Sequence, residues 1–174
     1  PDAKSLPRDE GLATLALRYF NSHGPATLQD FVWWTGLTVA DARAGLAAAA
    51  PQLRRELIDG QEYYGPTDGA AEDLSKTAFL LPPFDEFLIG YRDRGASLDP
   101  AYASRVVPGG NGIFNPIVVT GGLVTGTWRR TLKKDNVTLS FSPFTEWSAA
   151  EREAIAAAAE CYGGFQERVP ILEW

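Results

Sequence analysis

The 174-residue chain has no methionine, one histidine and one cysteine. A lone Cys161 excludes an internal disulfide and any multi-cysteine metal site, and it fits a reducing, cytoplasmic setting. With His23 as the only imidazole, a zinc site would need carboxylates for its other ligands, and no spacing suggests one. Neither a metal nor a cofactor is expected. No nucleophile elbow supports catalysis of the Ser-His-Asp or Cys-His kind. No apolar run approaches the ~18 residues that a membrane span needs, and no basic-then-apolar leader opens the chain. The absence of methionine even at position 1 is what a piece of a longer protein would show.

Excess positive charge is missing too. The net charge is −6, which argues against a simple nucleic-acid coat protein. Its distribution is uneven. Residues 105–134 hold Arg105, Arg129, Arg130, Lys133 and Lys134 and no acid, whereas residues 135–174 hold two basic and seven acidic residues. One basic stretch therefore lies inside an acidic protein.

What is present is 45% apolar, enough for a core, in one domain or two small ones. Leu12, Leu15, Ala16, Tyr19 and Phe20 make one helical face, stopped by His23-Gly24-Pro25. Thr27 to Asp30 reads as a capping box for a second helix closed by Gly36, and Thr38 to Asp41 repeats the signal for a third, stopped by Pro51. Asp59-Gly60 between two β-compatible runs predicts a two-residue hairpin. Three short helices and a hairpin is the order of a winged helix. The alternative is a generic three-helix bundle with a stray hairpin.

Residues 66–78 read as a linker. In "LLPPFDEFLIGYRDR", Pro82-Pro83 suits the start of a helical turn, with Phe84, Phe87, Leu88 and Tyr91 at helical spacing. Asp99-Pro100 marks another helix start, "VVPGGNG" is turn chemistry, and "IFNPIVV", "LVTGTWRRTL" and "VTLSFS" read as strands. Ser148 to Glu151 caps a last helix with the face Ile155, Ala158, Ala159 and Tyr162, ended by Gly163-Gly164. The expected fold is α+β: a winged-helix domain over residues 1–75, then an antiparallel β-rich, barrel-like domain with a C-terminal helix over 76–174.

His23 sits in a helix's last turn, where its charge favours the dipole. Trp33 and Trp34 cannot share a helix face, so one is expected in the core and the other against a neighbouring domain; stacking on a base is the other use. Asp85 and Glu86 suggest an acid/base pair, with Asp93 as a third carboxylate. Beside Arg92 and Arg94 their pKa values would fall, the wrong direction for a general acid. A salt-bridged seam with Phe84, Phe87, Leu88 and Tyr91 buried is therefore expected.

"LLPPFDEFLIGYRDR", "GNGIFNP" and "GTWRR", with "YFNSHGPATLQDFVWWTGLTVADARAGL", resemble a bacterial winged-helix DNA-binding family that includes the interstrand-crosslink DNA glycosylases. The resemblance spans roughly residues 10–165. It implies tandem winged helices and a β-barrel-like part around a concave DNA-binding surface, with a Gln-x-Gln motif that positions water in the glycosylase members. Glutamines stand here at 29, 52, 61 and 166, so that motif is absent and no catalytic residue is assigned. The third helix, "VADARAGLAAAA", offers one Arg and mostly Ala, too little for base reading. It reads as scaffold.

The leading expectation is thus a DNA-binding and scaffolding half of a glycosylase-like repair protein. It would grip duplex phosphates through Arg105, Arg129, Arg130, Lys133, Lys134, Arg92 and Arg94 and pack on winged-helix repeats of the same protein, with no membrane contact. The alternative is a non-enzymatic winged-helix regulator or protein-interaction module.

Overall fold

A computed structural model describes residues 5–69 and 73–174. The middle of the expected linker, residues 70–72, lies outside them. The chain divides into two compact units, Pro1–Ala71 with Ile89–Asp93, and Glu72–Leu88 with Arg94–Trp174.

The first unit begins with α1 (Arg8–His23), α2 (Leu28–Thr35) and α3 (Val39–Ala49). α1 has no side-chain cap, but Asp9 and Glu10 in its first turn complement the dipole. Both expected caps are present: Thr27 accepts from the Asp30 amide in a full capping box, and Thr38 accepts from the Asp41 amide. The core collects Ala16, Tyr19, Phe20, Phe31, Ala42 and Leu46. α3 buries the small residues Ala42, Gly45 and Ala49 and lies close against α1. A Cβ on Gly45 would meet the Leu12 carbonyl oxygen at 2.7 Å, so only a hydrogen fits there. An ion pair between Arg8 and Asp41 joins the same two helices.

β1 (Arg54–Ile58) and β2 (Gln61–Gly65) then form an antiparallel hairpin. Its turn needs two left-handed residues, and Asp59 (φ 50°) and Gly60 (φ 79°) supply them. A bridge from Ala26 to Tyr64 adds a third short strand beside β2.

The second unit is built on a five-stranded sheet in the order β3 (Ala78–Leu81), β4 (Ile117–Thr120), β5 (Leu123–Leu132), β6 (Asn136–Pro143), β7 (Val169–Glu173). α6 (Ala149–Phe165) covers one face, packing Ile155 and Ala159 on Val118, Trp128, Leu139 and Phe141. Short helices α4 (Glu86–Ile89) and α5 (Ala103–Val106) flank the other face, where Leu88, Leu98 and Val106 meet Ile117, Val119 and Val124. A bulge decides which side chain goes where. Val119 pairs with Val124 but Val118 pairs with Gly126, so Val124 and Trp128 point to opposite faces despite their even spacing.

Four expectations are corrected. The sheet is antiparallel-rich rather than antiparallel throughout. β7, absent from the sequence reading, pairs parallel to β6, because the long α6 carries the chain back to the same end before it re-enters the sheet. β3 and β7 are the edges, so the sheet is an open half of a barrel. α6 runs through Gly163-Gly164 instead of ending there. Gly163 is needed for close approach, since a Cβ would meet Pro170 Cδ at 2.7 Å. Finally, "FDEFLIGY" forms only the single turn of α4, with Phe84 exposed at φ 60° and Phe87 half-buried.

The cap of α6 is ionic. Glu151 accepts from the Ser148 amide and hydroxyl, and these bonds, with a lesser one from Thr120, hold its pKa below the usual carboxylate value.

The glycine geometry makes a paired prediction. Gly45→Ala should destabilise the first unit by about 1–3 kcal/mol, because the new methyl meets backbone. Gly11→Ala, also helical but with nothing within 4 Å of its would-be Cβ, should stabilise by about 0.5–1 kcal/mol. Chemical denaturation of the two variants beside the parent checks the opposite signs.

Candidate nucleic-acid interface

Five of the seven candidate cations lie on the β-rich unit's basic stretch, and the pleat sorts them. Trp128 points under α6, where its Nε1 donates to the Leu81 carbonyl at 3.0 Å and its ring meets Tyr162 edge-on at 5.2 Å. Arg130 follows on the same face and donates to the Tyr162 hydroxyl. Arg129 points the other way, across from Ser140, and is exposed. The Arg-Arg pair therefore splits between two faces, as strand alternation requires.

The β5–β6 turn presents Lys133 and Lys134 to solvent. Its backbone is closed by the Lys133 amide donating to the Asn136 carbonyl at 2.9 Å. A cation that the sequence reading missed supports it from behind. Arg168 donates through Nε to the Lys133 carbonyl at 2.9 Å and through Nη1 to the Gln166 carbonyl at 2.8 Å. Only the pairing of the unforeseen β7 brings it there, and no local pattern signals that contact. Arg129, Lys133 and Lys134 thus form one exposed basic edge.

Arg105 lies elsewhere, on α5, with its Cζ 4.7 Å over the Phe144 ring. Arg94 is half-buried. Its Nε donates to the Leu88 carbonyl at 2.7 Å, its Cζ lies 5.2 Å over Phe114, and burial lowers its pKa from the ordinary guanidinium value. Arg92 belongs to the first unit, where Nη1 donates to Gln29 Oε1 at 3.2 Å. The seven candidates are therefore not one patch.

At the expected seam, hydrogen bonds form at Asp85, Arg92 and Arg94. Its anchor is Asp30, only 4% exposed. Oδ2 of Asp30 accepts from the Thr27 amide at 2.9 Å and the Thr27 hydroxyl at 2.7 Å, while Oδ1 accepts from the Arg92 amide at 2.9 Å. Tyr91 donates to the His23 carbonyl at 2.8 Å, Tyr19 to the Gly90 carbonyl at 3.0 Å, and Trp33 Nε1 to the Ile89 carbonyl at 3.1 Å. Residues 89–93 are thus gripped through their backbone, and Tyr91 packs with the first unit's core rather than the β-rich part. Asp85 caps α4 by accepting from the Phe87 amide at 3.0 Å. That is a structural use of the carboxylate.

Neither tryptophan of the Trp33-Trp34 pair enters the core. Both are exposed, and Trp34 packs against Tyr19 at 5.2 Å and His23 at 5.4 Å. His23 closes α1 and stacks on Tyr19 at 4.7 Å. Cys161 is exposed. Among the described residues no helix is long and apolar enough to cross a membrane.

Asp30 carries a direct test. Asp30→Ala removes the carboxylate half of the capping box and leaves the Arg92 amide without its acceptor, which together should cost about 2–4 kcal/mol. Amide hydrogen exchange should accelerate at Arg92 along with Thr27. Parental protection at Arg92 in the variant would show that the carboxylate does not hold the segment.

The family model described as DNA glycosylase AlkZ-like matches residues 1–165. An interstrand DNA cross-link repair glycosylase of Streptomyces sahachiroi is 30% identical over 129 residues, covering 69% of this chain and 34% of that protein. Among solved structures, the Streptomyces sahachiroi DNA glycosylase AlkZ superimposes with a TM-score of 0.75 at 22% identity, over 98% of this chain and 47% of that one. This chain spans about a third of the length of the curated relative and just under half of the solved one. With a family model matched over nearly its whole length, the chain belongs to the AlkZ-like DNA glycosylase family.

Proposed function

We propose that this chain is a DNA-binding and scaffolding part of a glycosylase-like repair protein, acting on duplex DNA through phosphate contacts rather than base reading. The observation that carries the reading is the exposed basic edge of Arg129, Lys133 and Lys134, set on a hairpin whose register is fixed by the buried Trp128. Side chains of this kind neutralise phosphates without reading sequence, and membership in a DNA glycosylase family supplies the polymer.

The first unit acts as a winged helix used for support, which its three helices, hairpin and Ala26–Tyr64 bridge favour. Its third helix spends Ala42, Gly45, Leu46 and Ala49 on packing. What remains outward is short apolar residues, Asp41 paired with Arg8, and Arg43 as the one long polar side chain, too few to read a sequence. Its place is beside further winged-helix repeats of the same protein. The competing role, a non-enzymatic protein-interaction module, is favoured by the net charge of −6.

Salt titration separates the two. Replacing Arg129, Lys133 and Lys134 by Glu should weaken duplex binding for all sequences and lower the slope of log affinity against log salt by roughly two to three. Parental affinity and slope in the triple variant would make this edge mere surface charge and favour the interaction module. No Gln-x-Gln pair occurs in the chain, so the protein as it stands should release no base from alkylated duplex DNA. Abasic sites that appear and then vanish with Asp85→Asn or Glu86→Gln would instead assign the reaction to those carboxylates.

A further inference from the structure

Two loops of the second unit come together at a tip that the basic edge does not use. One is residues 107–114, pinched at its neck where Asn115 donates from its amide to the Val106 carbonyl at 2.8 Å and from Nδ2 to the Arg105 carbonyl at 2.9 Å. Beyond that neck the backbone alternates in hand, with φ of 63° at Gly110, −79° at Asn111 and 76° at Gly112. Such alternation turns successive amides toward one side, a concavity that suits an anion. The Asn111 and Gly112 amides have no protein acceptor among the described residues, and nothing lies within 4 Å of where a Cβ on Gly110 or Gly112 would stand.

Beside this concavity stand two apolar side chains that the fold does not bury. Ile113 is 61% exposed. Phe84, from the β3–α4 loop, is 52% exposed and meets Phe114 at 5.7 Å. Phe84 also has φ 60°, a conformation a bulky residue adopts only under strain. The backbone is thus strained to hold an aromatic ring out in solvent, the kind of outlier that points to use. On the 105–134 side of the tip the charge is of one sign, whereas Asp85 and Glu86 follow Phe84 on the other loop. Residues 105–134 contain no acid, Arg94 lies over Phe114, and Arg105 stands at the loop's neck. An anion-receiving loop flanked by apolar wedges and arginines matches the surface of a duplex groove, where a backbone phosphate lies beside stacked bases.

We propose that this tip is a second DNA contact. The Asn111 and Gly112 amides take one backbone phosphate, while Phe84 and Ile113 enter the adjacent minor groove and unstack a base step. The inference rests on the DNA-binding reading above and adds a place where the duplex is deformed rather than only held.

The test uses the full chain and a short duplex carrying 2-aminopurine, whose fluorescence rises on unstacking. The parent should bind and raise that signal. The double variant Phe84→Gly with Ile113→Ala should bind about tenfold more weakly, the scale of a lost stacking contact, and leave the fluorescence flat. Its melting temperature should hold or rise, because glycine relieves the strain at position 84. Gly112→Ala should weaken binding about threefold, the scale of one hydrogen bond. Controls come from the β4–β5 turn: Leu123→Ala, equally exposed at 52%, and Gly121→Ala, also left-handed at φ 56°, should bind as the parent does. If the parent binds and the tip variants match it in affinity and fluorescence, the tip is not a contact although the DNA-binding reading stands. A parent that binds no duplex defeats that reading and the tip with it.

Discussion

The placement of Trp128 is the constraint on which the second unit depends. Its indole is buried, tied to the Leu81 carbonyl on one side and edge-on to Tyr162 on the other, so β5 cannot slip by one residue without expelling it. The pleat then leaves Arg129 no choice but the opposite face. Gly126 takes part in the same constraint. A Cβ there would meet the Trp147 ring at 2.6 Å, so the strand passes close enough to pack Trp147 against the sheet. Core packing, and not any attraction between cations, positions the basic edge.

The first unit has an equivalent fixed point in Asp30. Sequence logic assigns this residue to a helix cap, and it is one, but a carboxylate has two oxygens and the cap uses only Oδ2. Oδ1 is then available for the Arg92 amide, sixty-two residues away along the chain. Burial makes the arrangement specific, because an ionised acid in the interior must have its acceptors filled. Three tyrosine or tryptophan donors bind the carbonyls of His23, Gly90 and Ile89 around it. A five-residue segment is held there largely through its backbone.

Local signals proved readable and non-local ones did not, for a physical reason. Thr27, Thr38 and Ser148 announced helix starts because capping is a bond within four residues. Asp59-Gly60 announced a hairpin because only left-handed residues make that turn. β7 escaped because Val169, Ile171 and Glu173 lie on an exposed edge, where no alternation of buried and polar residues marks a strand. Gly163 was misread as a stop since a glycine needed for close approach looks the same in sequence as one needed for a left-handed cap. The bulge opposite Val118 and Val119 was equally hidden, and it reverses the facing that a simple period of two assigns to Val124. At the candidate site, the alternation of Trp128, Arg129 and Arg130 was legible from the strand alone. The support from Arg168 and the withdrawal of Arg94 into contact with Leu88 and Phe114 were not, since both depend on residues joined only by the fold.

The chain's overall acidity and its proposed hold on DNA are compatible because field follows local arrangement and not net charge. Glu151, Glu153 and Glu160 lie on α6, which covers the side of the sheet where Arg130 is already engaged with Tyr162, while Glu173 on β7 shares the face of Arg129. Arg129 projects from the opposite face, with Ser140 and not a carboxylate across from it on β6. Ser140 in turn donates to Glu173 at 2.6 Å, which keeps that acid occupied at the sheet's edge. A negative protein can therefore present a positive edge, and under the proposed reading the repulsion from its acids would limit how long it stays on any one stretch of duplex. For a protein whose contacts carry no sequence information, weak and salt-sensitive attachment is the form of binding that permits movement along DNA.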